Sequence, residues 1–120
     1  MPYSAYVLTE EARATLLERQ PPQHPEVIAH HVTHRFPDQA PPPPVRTVRV
    51  TGHASDHRVE CVVVEVDGSH QRPDGGVYHV TLSLDRSLKA KPVHSNRLLK
   101  SGWAAVEPFE LSVHPTLVTT

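Results

Sequence analysis

Val77-Tyr78-His79-Val80-Thr81-Leu82-Ser83-Leu84 is the stretch that decides the reading of this chain. Tyr78, Val80, Leu82 and Leu84 alternate with His79, Thr81 and Ser83, which is the period of a β-strand with one face in a core. The other face carries an imidazole and two hydroxyls. Upstream, Val59 to Val66 is a strongly apolar strand ended by Asp67-Gly68, and the stretch to Gly75-Gly76 is a polar loop. Val45 to Gly52 alternates as a strand and leads to a turn at Ser55-Asp56. Pro41 to Pro44 before it is an uninterrupted run that reads as a stiff polyproline connector.

Val27 to Phe36 is rich in β-branched and aromatic residues and predicts a strand closed by Pro37-Asp38. Ser4 to Leu8 predicts the first strand. Thr9 then caps a helix with Glu10 and Glu11 in its first turn and apolar residues at Ala12, Leu16 and Leu17; it ends before Pro21-Pro22. After the deciding strand, a short helix is expected from Ser95 to Lys100, with Gly102 past its end, and a last strand from Val106 to Val113. The order is strand, helix, four strands, helix, strand. It defines an α+β fold with a mostly antiparallel sheet, in one domain spanning 1–120.

His31-Val32-Thr33 in the Val27–Phe36 strand repeats His79-Val80-Thr81. Alternation points His31 with Thr33, and His79 with Thr81. Two such strands across a cleft present a base, an acid and two hydroxyl donors to one ligand. A phosphodiester suits that set. One neutral imidazole takes a proton from water, the other, protonated, gives one to the leaving oxygen, and the hydroxyls hold the non-bridging oxygens. That chemistry needs no metal and no cofactor. Sequence does not say which histidine is the base.

The paired His-Val-Thr strands resemble the two His-x-Thr signatures of the 2H phosphoesterase superfamily, which includes LigT-like RNA cyclic phosphodiesterases. Leu82 after the second motif fits the family pattern; His34 after the first does not. The resemblance implies a short bilobal α+β domain with pseudo-twofold symmetry and both motif strands facing a central cleft. It implies His31 and His79 as the acid–base pair on neighbouring central strands, and Thr33 and Thr81 as phosphate ligands. It further implies a cyclic 2′,3′-phosphate, on a nucleotide or an RNA end, as the substrate and partner, with 2′,5′-linked oligonucleotides, cyclic ADP-ribose phosphate and cyclic dinucleotides as alternatives that sequence does not separate.

Four more residues are candidate substrate contacts. Arg35 and Ser83 continue the faces of the two motifs, while Arg97 and Lys100 belong, with Lys89 and Lys91, to a basic cluster after the second motif. Tyr78 should face away from the cleft. Two rival functions remain. One is a nucleotide-binding module of the same fold that does not cleave. The other is a zinc site from His30, His31 and His34 with His53 or His57, although no second cysteine or well-spaced carboxylate completes it.

Net charge is −1 with ten histidines taken as neutral, which argues against coating nucleic acid by charge alone. Cys61, the single cysteine, sits in an apolar run and should be buried and inert. The N-terminus carries no signal-peptide pattern and no apolar run approaches a membrane span, so the expectation is a cytoplasmic protein with no membrane contact and no obligate protein partner.

Overall fold

Thr9 joins the first two elements. β1 (Tyr3–Leu8) ends there, and α1 (Glu10–Arg19) begins with the Thr9 hydroxyl accepting the Ala12 amide at 3.1 Å. That bond satisfies one of the four amides a helix start leaves open. The structure, a computed structural model, describes residues 1–119. The remaining elements are β2 (Glu26–Val27), β3 (His31–Arg35), β4 (Val48–Ser55), β5 (Val59–Val66), β6 (His79–Leu84), α2 (His94–Leu99), β7 (Ala104–Glu110) and β8 (Val113–Val118). A single 3-10 turn at Arg86–Leu88 follows β6.

The strands form two sheets, one in the order β3-β1-β8 and one in the order β2-β6-β5-β4-β7. Every pairing is antiparallel. The fold is therefore α+β with mostly antiparallel sheets and few helices. β5 is buried on both faces, which explains why Cys61 to Val64 is apolar without alternation. One face of the large sheet, with Val62, Val64, Val80 and Leu82, packs on Tyr6, Leu8, Val32 and the α1 residues Ala12 and Leu16. On the other face Cys61, Val63 and Ala54 pack under Leu99 of α2. Burial pushes the Cys61 thiol up to about 12, so it stays a protonated, unreactive core group.

Three expected strands differ in the structure, each for a local reason. Val27 to Phe36 is not one strand but β2 and β3, broken at Ala29, which is fully buried with φ 43°. Up to that point the chain runs beside β6, with Ile28 N–H donating to Leu82 O and Ala29 N–H to Thr81 O. Beyond it Leu8 N–H donates to His30 O and pairing passes to β1. The chain changes sheets at one small residue in the left-handed region, a conformation that costs an L-residue about 1 kcal/mol. Val45 to Gly52 starts late, because the Arg46 and Thr47 amides donate to the Asp67 carboxylate, not to a neighbouring strand, and β4 runs on to Ser55 through a bulge near Gly52. Val106 to Val113 is split between β7 and β8 on different sheets. Pro108 and Pro115 fit there because both strands are sheet edges, where a missing amide leaves no ladder bond unmade.

Candidate active site

The sheet change at Ala29 sets β3, an edge strand of the small sheet, against β6 of the large one. His31 and His79 are therefore not on neighbouring hydrogen-bonded central strands. They stand on two sheets that meet. A cavity of about 500 Å³ opens between these strands, and His31, Thr33, His79 and Thr81 all line it. Its wall also includes Arg72 and Asn96, and Tyr3, Ile28, Phe36 and Val93 give it an apolar side. The Tyr3 ring lies 5.4 Å from the His31 ring and 5.7 Å from Phe36.

Each motif imidazole is held by one nitrogen. His79 Nδ1 lies 2.8 Å from the Val77 carbonyl oxygen, which only accepts, so Nδ1 carries a proton. The neutral His79 ring then has its lone pair on Nε2. His31 Nδ1 lies 3.0 Å from His30 Nδ1, and one of these two donates to the other. In both rings Nε2 makes no hydrogen bond among the described residues. His30 is exposed, as an edge residue should be, yet it is also the group that holds His31.

The hydroxyls differ. Thr81 Oγ1 lies 2.9 Å from the buried Ser95 Oγ and 3.4 Å from the Pro92 carbonyl, which ties the motif to the start of α2. Thr33 Oγ1 makes no hydrogen bond among the described residues and is open to a ligand.

Arg72, which the sequence reading passed over, completes the wall. Its side chain is 9% exposed, Nη2 donates to Asp74 Oδ2, and the buried Nε–H has no acceptor. Asp74 Oδ1 in turn accepts the Gly76 amide. A buried donor left unpaired costs about 1–3 kcal/mol, and the guanidinium places a cation in the cavity wall. Its signal lay in Arg72-Pro73-Asp74-Gly75-Gly76, a charged pair in a tight turn just before the motif strand.

The four further candidates do not line this cavity. Arg35 is exposed at the end of β3, and its carbonyl accepts from Ser4 Oγ. Ser83 lies beyond the cavity, where the chain after α1 crosses the sheet. It donates to the buried Glu60 at 2.7 Å and accepts the His24 amide. Arg97 is exposed on α2, and Lys100 lines a neighbouring cavity. Tyr78 faces away as expected, with its hydroxyl 2.8 Å from His34 Nδ1. The zinc grouping is not assembled. His34 engages Tyr78, His53 engages Glu60, His57 is exposed, and among the described residues no three metal-binding side chains gather.

Burial, then the neighbouring His30 and His79, push His31 down to about 4. Burial also lowers His79, aided by Arg72 and opposed by the Val77 carbonyl. Both rings are thus neutral near pH 7 in the free protein. Between about 4 and 6.5 the unfolded chain binds a proton that folded His31 refuses, so stability is full above pH 6.5 and falls as pH drops through that window. Between pH 7 and 4.5 His31 alone should remove roughly 2–3 kcal/mol. Urea unfolding of the parent and His31→Gln at both pH values measures this. Gln should lose less on acidification by that amount, and parallel losses would contradict a neutral buried ring.

No family model, no curated protein and no solved structure matches the chain.

Proposed function

We propose that the chain is a metal-independent phosphodiesterase of the 2H type that opens a 2′,3′-cyclic phosphate on a nucleotide or RNA end. One observation carries this reading. Two His-Val-Thr motifs 48 positions apart, on strands of different sheets, bring all four polar side chains to one cavity. The cavity has the size of a small-molecule site, and Phe36 at its wall is 53% exposed, a face on which a base can stack.

In the proposed reaction water attacks phosphorus. His79 Nε2 takes the water proton, the bond from phosphorus to one ribose oxygen breaks, and Nε2–H of His31 gives its proton to that oxygen. The product is a phosphomonoester, and solvent returns the proton from His79 to His31. Thr33 and Arg72 donate to the non-bridging oxygens as charge builds on them, and Thr81 joins them when its single proton leaves the weak bond to the Pro92 carbonyl and Ser95 Oγ–H donates to Thr81 Oγ1. The phosphate anion supplies what the depressed His31 lacks, because a negative charge beside it favours its protonated form, while a lowered His79 is already the neutral base.

The test is a panel of 2′,3′-cyclic nucleotides, a 2′,5′-linked oligonucleotide and a cyclic dinucleotide, incubated with the protein in EDTA and read by product mass. Phosphomonoester from the 2′,3′-cyclic compounds is expected. Tight binding with no turnover supports the non-cleaving module instead, and turnover abolished by EDTA and restored by zinc overturns the metal-free reading.

A further inference from the structure

A second cavity, of about 340 Å³, adjoins the first, and Arg72 and Asn96 line both. The second cavity is also lined by Lys100, at the end of α2, and by the turn Asp74-Gly75-Gly76. We propose that this cavity is a subsite for a second phosphate of the substrate, one nucleoside or less away from the phosphate being opened. The inference rests on the phosphodiesterase reading and narrows its substrate to molecules with phosphate on both sides of the reacting sugar.

Charge and donor supply point the same way. Asp74 is the one carboxylate in the lining, and both its oxygens are engaged, Oδ2 by Arg72 and Oδ1 by the Gly76 amide. Its charge is thereby matched by the guanidinium, while the Lys100 ammonium makes no ion pair or hydrogen bond among the described residues. The cavity therefore keeps a free cation. Arg72 stands in the wall the two cavities share, and its side chain is 9% exposed, so its charge is largely desolvated there. A guanidinium presents its donors in a plane and binds phosphate oxygens in pairs, and an ammonium lining the same cavity acts as a point charge. Leu99 and Val77 supply apolar lining between the polar groups, as a sugar or linker would need.

Two kinds of molecule carry such a phosphate. One is an RNA end, whose preceding internucleotide phosphate would occupy the subsite; the other is a mononucleotide with a 5′-phosphate. Three substrates separate them: adenosine 2′,3′-cyclic phosphate, the same nucleotide bearing a 5′-phosphate, and the dinucleotide ApA ending in a 2′,3′-cyclic phosphate. At low salt, kcat/KM should be about tenfold higher for at least one of the last two than for the first, the scale of one charge-assisted phosphate contact. Whichever gains identifies the source. In Lys100→Gln, an exposed surface change, that ratio should fall to about two or three, and 0.5 M salt should do the same to the parent. Equal kcat/KM for all three, or a ratio that Lys100→Gln leaves intact, overturns the subsite while the phosphodiesterase reading stands. No turnover of any of the three by folded protein overturns that reading and the subsite with it.

Discussion

A folded His79→Ala protein should turn over a 2′,3′-cyclic phosphate about a hundredfold or more slowly than the parent, and His31→Ala should do the same. Each substitution removes one partner of a proton transfer and leaves the other imidazole with nothing to complement. His79 Nδ1 is fixed by the Val77 carbonyl and His31 Nδ1 by His30, so in both cases the nitrogen lost from the cavity is Nε2. The double mutant should be little worse than either single, because groups acting as a unit are not additive. The pH dependence of kcat/KM should be a bell whose maximum lies below the ordinary histidine value of 6.5, since both values are lowered in the free protein. Its two limbs belong to the coupled pair rather than to either ring. His34→Ala is the control: its ring meets Tyr78 and Tyr6 outside the cavity and should leave turnover intact. Parent-level activity in folded His79→Ala would end the catalytic reading. A His34→Ala protein as impaired as His31→Ala, at unchanged stability, would reverse the register assigned to β3.

His30 would make a poor second control, and the reason shows what sequence can carry. Alternation along a strand placed His31 and Thr33 on one face and His79 and Thr81 on another, and all four meet in the structure. Alternation also predicts that His30, pointing the other way, avoids His31. The turn through Ala29 breaks that rule and brings their Nδ1 atoms to 3.0 Å. Nothing in Val27-Ile28-Ala29-His30 signals the turn, because glycine and proline, the residues that usually mark one, are absent. The same blindness merged β7 with β8. Ser83 failed for a different reason: it does share the strand face of Thr81, but the chain after α1 covers that end and Glu60 takes its hydroxyl. Period-two reasoning gives a face, and only tertiary structure says what lies over each part of it.

Arg72 is the residue whose loss should separate function from stability most cleanly. Arg72→Met should lower kcat about a hundredfold, the effect of removing one donor to developing negative charge. Stability should stay equal or rise, because the change removes a desolvated charge and an unpaired buried N–H. Asp74 is left without its cation, but its side chain is 29% exposed, so water can replace that partner at little cost. Arg72→Lys keeps the charge and discards the Nε–H and the planar fork, and should recover only a small part of the rate. Urea midpoints beside kcat for the three proteins measure both quantities. If Arg72→Lys matches the parent, positive charge alone suffices and the planar fork has no part in binding phosphate. If Arg72→Met keeps the parent kcat, the guanidinium in the cavity wall is not a phosphate ligand. If Arg72→Met instead unfolds the protein, the Arg72–Asp74 pair is a structural clamp on the turn before β6, and the gain in stability expected from relieving an unpaired donor is refuted.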